Sequence, residues 1–183
     1  MRIITGKFKG RTLTIPKTDK VRPTSDRTKE GIFSVIAARR YFDNLRVLDL
    51  FAGSGNLGIE AISRGASHCT FVDDEPLHIT HIQKTISSFG IEKSAQTLVM
   101  DTEEFLAKNS SRFDLIFADP PYDYYAMQEL PDIILKREIL ADDGWLILEH
   151  DKHNDFTEHP GCVFSKAYGR TIASIFTLSG ENF

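Results

Sequence analysis

The chain has 183 residues, of which 41% are hydrophobic and 26% are charged, and its net charge is −4. This length is sufficient for one sizeable hydrophobic core, and no stretch approaches the ~20 consecutive apolar residues of a membrane span. Residues 1–10 lack the apolar core of a signal peptide, and Cys69 and Cys162 follow no disulfide or metal-binding spacing. We therefore expect a reduced, cytoplasmic protein with buried thiols and no membrane segment.

Positive charge is concentrated at the amino terminus. Residues 1–40 contain eleven Lys and Arg against three acids, a net charge of +8, whereas residues 41–183 contain eleven against twenty-three, a net charge of −12. An acidic body repels nucleic acid, but a basic segment neutralises phosphates and provides affinity that weakens with salt. We interpret the basic segment either as a nucleic-acid contact or as a solvated charged tail.

The first 40 residues predict a hairpin followed by a helix. Residues 2–5 and 11–15 alternate in character around Gly6 and Gly10, a pattern typical of a β-hairpin. A polar connection follows, and a helix capped by residue 25 or 26 is predicted because apolar residues then recur at helical spacing. The predicted division is residues 1–24 for the hairpin arm with its connection and residues 25–183 for the main domain.

From residue 46 onward, short apolar runs alternate with helical patterns, which predicts βαβ units and a parallel sheet. The predicted strands are residues 47–51, 70–72, 97–100, 115–118 and 145–148, and the predicted helices are residues 57–64, 76–89, 102–108 and 127–136. Residues 162–168 and 171–178 predict an antiparallel pair at one edge. The expected fold class is α/β, a mostly parallel Rossmann-like sheet with an antiparallel carboxyl-terminal edge pair and an amino-terminal β-hairpin arm.

A glycine-rich loop follows the first predicted strand. The segment Gly53-Ser54-Gly55-Asn56-Leu57-Gly58 fits G-x-G-x-x-G, and Asp73 ends the next strand about twenty residues later. Glycines let the backbone approach a ligand closely, and the start of the following helix offers free N–H groups to an anion. Taken literally, the pattern predicts a nicotinamide dinucleotide site.

The carboxylates around this loop favour S-adenosylmethionine over a dinucleotide. Asp49, at the end of the first strand, is unfavourable beside a pyrophosphate but favourable beside a sulfonium or an α-amino group. Asp101 can accept a hydrogen bond from an adenine amine, or it can simply cap the helix that follows. Asp73 can hold the ribose of either cofactor, whereas Asp74 and Glu75 can form an acidic helix start favoured by the dipole.

The motif Asp119-Pro120-Pro121-Tyr122 closes another apolar strand. Two prolines make a rigid corner, because each fixes φ and removes a backbone donor. The corner offers a planar amine a carboxylate acceptor, a directed Pro120 carbonyl and the aromatic face of Tyr122. The strand ends of a parallel sheet share one edge, so the strand-end aspartates are expected to converge there. They are Asp49, Asp73, Asp101 and Asp119.

These groups suit methylation of an exocyclic base amine. Such an amine is a weak nucleophile because its lone pair is delocalised into the ring, and two acceptors that hold its hydrogens favour the pyramidal form. Catalysis would then consist chiefly of positioning, with Asp119 as an orienting group or as a proton acceptor. The base has to be unpaired or flipped to reach the corner, and stacking on Tyr122 offsets part of the cost.

The combined motifs resemble a known family. Asp-Leu-Phe-Ala-Gly-Ser-Gly at residues 49–55, together with Asp-Pro-Pro-Tyr, is similar to class I methyltransferases that act on exocyclic nitrogens. Residues 1–6, 9–11, 22–27 and 30–33 narrow the resemblance to the RsmD family of 16S rRNA guanine-N2 methyltransferases, over essentially the whole chain. The resemblance implies S-adenosyl-L-methionine as the methyl donor. It implies 16S rRNA, within a small ribosomal subunit or an assembly particle, as the partner.

The resemblance also implies roles for individual residues. In the donor site, the methionine part would be held by Asp49, Phe51, Gly53 and Gly55, the ribose by Asp73 and the adenine by Asp101. The guanine would be held by Asp119, Pro120 and Tyr122. RNA contacts are implied for Arg22, Thr24 and Arg27, and the charge pattern adds Lys7, Lys9 and Arg11. Two positions, Asn56 and Asp73, depart from the usual family pattern.

Other functions remain compatible with the residues. An adenine-N6 methyltransferase on DNA or RNA is one alternative, because the corner accepts from any exocyclic amine. A non-catalytic RNA-binding protein is a second, and a nicotinamide oxidoreductase is a third. No metal is expected, because the histidine pairs at residues 78 and 81 and at residues 150 and 153 have no third ligand nearby.

Overall fold

The structure is a computed structural model that describes residues 1–13 and 26–180. In this part of the chain, helices and strands follow one another in the order α1 (Asp26–Ala37), β1 (Arg46–Leu50), α2 (Asn56–Arg64), β2 (His68–Asp73), α3 (Pro76–Phe89), β3 (Ala95–Val99), α4 (Thr102–Lys108), β4 (Phe113–Ala118), α5 (Leu130–Lys136), β5 (Leu140–His150), β6 (Cys162–Tyr168) and β7 (Thr171–Phe176). A short 3-10 helix, Glu92–Ser94, precedes β3.

The strands form one sheet in the order β3-β2-β1-β4-β5-β7-β6. Strands β1 to β5 are mutually parallel, whereas β7 is antiparallel to both β5 and β6. The order of the strands reverses between β1 and β4, and a crevice forms outside the carboxyl ends of strands at such a switch point. The predicted α/β class with an antiparallel edge pair is confirmed.

Helices cover both faces of the sheet. The first face is covered by α1, α2 and α3 and the second by α4 and α5, each with its own apolar cluster. Gly58 lets α2 lie close to β2, because a Cβ at this position would come within 2.4 Å of Phe71 and 2.6 Å of the Cys69 sulfur. The third glycine of the motif therefore serves helix packing.

The predicted boundaries hold where local signals are strong. Helix α3 has the predicted bounds because Pro76 occupies its first turn and Gly90, at φ 66°, closes its end. Strand β5 is longer than the predicted residues 145–148, because Leu140 pairs with Phe113 before an irregularity in register. Helix α5 begins at Leu130 rather than at residue 127, since the preceding residues form turns.

The amino-terminal hairpin packs on the main domain. Arg2 and Thr12 form an antiparallel bridge, so the predicted pairing is present over a short stretch. Ile3, Phe8 and Leu13 are buried in the same cluster as the apolar residues of α1, α2 and α3. The predicted boundary after residue 24 lies outside the described residues.

A buried carboxylate joins the hairpin to α2. Glu60 is fully buried, and it accepts hydrogen bonds from the backbone N–H groups of Ile4 (2.8 Å) and Thr5 (3.0 Å). It also pairs with Arg64 (2.8 Å) and with Lys29 of α1 (3.3 Å). Lys29 is fully buried as well, and burial lowers the pKa of its ammonium while Glu60 opposes the shift. One carboxylate thus ties three segments together.

The two thiols differ in exposure. Cys69 is buried and Cys162 is half-buried, and both are free. Burial raises the pKa of both thiols, that of Cys69 by far the more strongly. Within residues 1–13 and 26–180, no helix has the length and apolar character needed to cross a membrane.

Candidate active site

A cleft of about 660 Å³ opens at the carboxyl edge of the sheet, beside the switch point between β1 and β4. It brings together most of the residues predicted for the donor and the base. From the donor set it is lined by Asp49, Phe51, Gly53, Asp73 and Asp101, and from the catalytic set by Asp119, Pro120 and Tyr122. Gly55 belongs to the same loop but is not among the lining residues.

The loop after β1 has an unusual backbone. Phe51, Gly53 and Gly55 all have positive φ, at 59°, 53° and 73°. A left-handed conformation is strained for a residue with a Cβ, so Phe51 is held there by its surroundings. A Cβ on Gly55 would approach Ile82 at 3.1 Å, which is tight packing in addition to the backbone strain. Gly55 therefore packs against Ile82 of α3 and supports the loop, while Gly53 lines the cleft.

Asp73 anchors this loop to the end of β2. Its carboxylate accepts from the N–H of Gly53 (2.7 Å) and the N–H of Glu75 (2.9 Å), and it lies 2.9 Å from Nδ1 of His78. A carboxylate has about four acceptor sites, so capacity remains for a further donor such as a ribose hydroxyl. His78 was not predicted as a site residue, yet its position in the first turn of the helix after a strand-end aspartate could have indicated it.

Asp49 is a buried acid beneath the loop. It is 2% exposed, and its Oδ2 accepts from the N–H of Gly58 at 2.9 Å. Burial raises the pKa of Asp49 well above its usual range, and the nearby charges of Asp119 and Asp73 add to the rise while the Gly58 hydrogen bond opposes it. A cationic group beside Asp49 would stabilise its charged form.

Asp101 caps the helix that follows it. Its Oδ1 accepts from the N–H groups of Glu103 (2.8 Å) and Glu104 (3.3 Å), which is the capping arrangement that the sequence left open. Tyr124 lies near Asp101. Burial raises the pKa of the Tyr124 hydroxyl, and the negative charges of Glu103 and Asp101 raise it further.

An aromatic pair forms one wall of the cleft. The rings of Phe51 and Tyr124 meet edge to face with their centroids 5.1 Å apart, and both residues line the cleft. Tyr124 was not predicted as a site residue. Its position two residues after the Asp-Pro-Pro-Tyr corner could have indicated that it lines the cleft.

The Asp-Pro-Pro-Tyr corner stands at the other end of the cleft. Pro120 is buried, whereas Asp119 and Tyr122 are half-buried. The Tyr122 hydroxyl lies 3.1 Å from the Thr171 hydroxyl at the start of β7, so the antiparallel edge pair holds the aromatic ring in place. Thr171 also lines the cleft and was not predicted, because only the sheet topology brings β7 to this edge.

The basic residues of the hairpin lie away from the cleft. The N–H of Lys7 donates to the carbonyl of Ser63 near the carboxyl end of α2, whereas the amino end of α2 lines the cleft, about 10 Å away along the helix. Lys7, Lys9 and Arg11 are exposed. Arg11 also has a structural role, because its guanidinium lies 3.6 Å from the Phe89 ring centroid and donates to the Ser88 carbonyl.

The remaining predicted RNA contacts are only partly described. Arg27 is exposed in the first turn of α1, while Arg22 and Thr24 lie outside the described residues. Among residues 1–13 and 26–180, no group of three or more His, Cys, Asp and Glu is arranged to hold a metal ion.

Comparisons with known proteins extend over the whole of this architecture. The family described as conserved hypothetical protein 95 matches residues 1–177. YlbH of Bacillus subtilis, described as a candidate rRNA methyltransferase, is 39% identical over 98% of this chain and 100% of its own length. Ribosomal RNA small subunit methyltransferase D of Escherichia coli is 30% identical over 87% of this chain and 79% of its own length. The structure of the candidate methyltransferase yhhF from Escherichia coli has a TM-score of 0.83 at 27% identity and 96% coverage of both chains.

Proposed function

Because this chain belongs to the RsmD family of class I methyltransferases, we propose that it methylates the exocyclic N2 amine of a guanine in 16S ribosomal RNA. Its partner is a small ribosomal subunit or an assembly particle in the cytoplasm. The observation that carries the proposal is the convergence of Asp119, Pro120 and Tyr122 with the glycine loop in one cleft. Methyl transfer to an amine needs hydrogen-bond acceptors that hold the amine beside the loop that binds the methyl donor.

The donor half of the cleft suits S-adenosylmethionine. When bound, this cofactor supplies a methyl group on a sulfonium, which is a good leaving group. The strained loop at Phe51 and Gly53 bounds the methionine part, with Gly55 supporting the loop, and the buried Asp49 favours a positive charge beside it. Asp73 would accept from the ribose hydroxyls and Asp101 from the adenine amine.

The acceptor half of the cleft orients the target base. The Asp119 carboxylate and the Pro120 carbonyl accept from the two hydrogens of the amine, which directs its lone pair toward the donor. Tyr122, fixed through Thr171, stacks on a base that has left its helix. The amine nitrogen would form a bond to the methyl group as the bond from the methyl group to the sulfonium breaks, and one proton would leave the nitrogen for Asp119 or for solvent. Orientation of this kind can supply on the order of 7 to 11 kcal/mol of the barrier.

The test is transfer of labelled methyl to small ribosomal subunits purified from cells that lack this methyltransferase, followed by digestion to nucleosides. We expect the label in N2-methylguanosine, and labelling that is slower by about 10²- to 10³-fold when Asp119→Ala replaces the natural protein. Label in N6-methyladenosine would instead identify an adenine-N6 methyltransferase. Donor and RNA binding without any transfer would identify a non-catalytic RNA-binding protein, and tight binding of NAD in place of the donor would identify an oxidoreductase.

The hairpin lysines provide a separate prediction about RNA affinity. Lys7 and Lys9 are exposed and lie outside the cleft, so they are expected to contact phosphates rather than the base. Replacing both with alanine should weaken RNA binding and reduce the slope of log affinity against log salt by about 2, while donor affinity stays the same. Filter binding across a salt series measures the slope. An unchanged slope would exclude this surface, and Lys136→Ala with Lys152→Ala serves as the charge-matched control.

A further inference from the structure

The acceptor end of the cleft contains a second carboxylate, Glu149, which the sequence motifs do not identify. Glu149 belongs to β5, is 2% exposed, and lines the same cleft as Asp119 and Tyr122. A carboxylate this buried is uncommon, because removing a charge from water is costly.

The strand register places Glu149 beside Asp119. Ala118 at the end of β4 pairs with Leu148 of β5, so Asp119 and Glu149 are the next residues along two adjacent parallel strands. Alternation along the strands directs both toward the face covered by α1, α2 and α3, since Phe117 and Ile147 pack on that face. Two carboxylates at neighbouring strand ends thus face one end of the cleft.

The second strand neighbour of Glu149, β7, contacts the hydroxyl of Tyr122. Strand β7 pairs with β5 so that Glu149 lies opposite Ala173, and Thr171, two residues before Ala173 on the same face, holds the Tyr122 hydroxyl. The ring on which the base would stack and the Glu149 carboxylate are therefore positioned by the same pair of strands. Their relative geometry is set by the sheet rather than by a loop.

We propose that Glu149 selects guanine by accepting a hydrogen bond from its N1–H, next to the amine that Asp119 and Pro120 hold. This inference rests on the proposed function and names the base-specificity residue of that site. Guanine presents N1–H and the N2 amine side by side, so two adjacent carboxylates can accept from both. A carboxylate has only acceptors, and it can pair with this edge without a proton of its own.

The same arrangement rejects bases whose ring nitrogen carries no proton. In adenine and in 2-aminopurine, N1 is an acceptor beside the exocyclic amine, so its lone pair would face the carboxylate with no hydrogen between them. A buried polar group left unpaired in this way costs much of the binding energy, and sites built to pair with an N–H reject analogues that lack it.

The test compares two substrates that share the 2-amine. Small-subunit RNA is ligated so that the target position carries either guanine or 2-aminopurine, and it is then assembled into particles. With the natural protein we expect kcat/KM to favour guanine by about 10²-fold or more. Glu149→Gln should reduce this preference at least about tenfold, because the glutamine amide can donate to an unprotonated N1 as well as accept from N1–H. Glu104→Gln, at an exposed site on α4, is the matched control and should leave the preference intact.

Two outcomes would overturn the proposal. The first is a natural protein that methylates 2-aminopurine as efficiently as guanine, a measurement that requires no variant. The second is a folded Glu149→Gln variant, with natural donor affinity, in which both substrates lose the same factor or neither changes. The proposed function fails separately, since its failure would appear as no transfer even to the guanine particle.

Discussion

Replacing Asp119 with alanine is expected to lower the rate of methyl transfer by about 10²- to 10³-fold while changing the affinity for S-adenosylmethionine by less than about twofold. The reason is position: in the proposed function Asp119, Pro120 and Tyr122, at the end of β4, hold the base, whereas Asp73 and Gly53, beside β2, hold the donor. Single-turnover transfer measures the rate, and equilibrium titration measures donor affinity. If affinity for S-adenosylmethionine fell by a factor similar to the loss of rate, Asp119 would belong to the donor site instead.

Asparagine at the same position separates two roles of the carboxylate. An amide retains one acceptor oxygen but cannot take a proton at neutral pH. If Asp119 acts chiefly by orientation, Asp119→Asn should keep the rate within about tenfold of the natural protein, well above the alanine variant. If Asp119→Asn is as slow as Asp119→Ala, Asp119 acts instead as the acceptor of the proton that leaves the amine. Glu129→Ala, at an exposed position after the same corner, removes an equal charge outside the cleft and is the control.

The second large effect is expected on stability. Glu60→Ala should reduce the free energy of unfolding by about 3 to 5 kcal/mol, because it leaves the buried ammonium of Lys29 without its carboxylate partner. It also removes the acceptor of the Ile4 and Thr5 N–H groups, so the hairpin should loosen from α2. A loss of this size corresponds to a fall in Tm of roughly 10 °C or more for a chain of this length.

Urea unfolding, and hydrogen exchange at Ile4 and Thr5, measure this prediction. Glu104→Ala breaks the exposed pair with Lys108 and should cost no more than about 1 kcal/mol. Adding Lys29→Met to Glu60→Ala should recover part of the loss, since it removes the stranded charge. If the double variant is destabilised by the sum of the costs of the two single changes, with no recovery, this account is wrong.

The same hydrogen-bond network extends from the hairpin to the cleft. The Lys29 ammonium donates to Oδ1 of Asn56 at 2.7 Å, and Asn56 lines the cleft at the start of α2. We therefore expect the Glu60 variant to bind the donor more weakly even below its unfolding transition. Asn56 departs from the usual family pattern, and the structure provides a physical partner for it.

Local signals explain which elements could be predicted. Helix α3 has a proline in its first turn and a glycine at its end, and α4 begins after a capping aspartate, so both were predicted with their observed bounds. The start of β5 was missed because Asp142, Asp143 and Gly144 interrupt the apolar pattern between Leu140, which pairs with Phe113, and the predicted start of the strand at residue 145. Hydrophobic periodicity reports burial, and Asp142 and Asp143 belong to the strand although they are exposed.

Site residues divide in the same way. The glycine loop, the strand-end aspartates and the Asp-Pro-Pro-Tyr corner are contiguous motifs, and the cleft brings nearly all of them together. Glu149 and Thr171 were missed because the residues beside them, Asp119 and Tyr122, are distant in the chain, whereas His78 contacts Asp73 only five residues earlier and had a local signal. Lys29 was missed for a related reason: a lysine in a helix is normally solvated, and only the approach of Glu60 makes its burial tolerable.

The sequence by itself determined the order of elements, the parallel sheet with its antiparallel edge, and the two motifs that define donor and acceptor sites. These depend on periodicity, glycine, proline and strand ends, which act over a few residues. Only the tertiary structure decided that the hairpin packs on α2 through Glu60 and that Glu149 stands beside Asp119. Buried charges need partners, and the partners are chosen by the register of strands and the packing of helices, which bring together residues far apart in the chain.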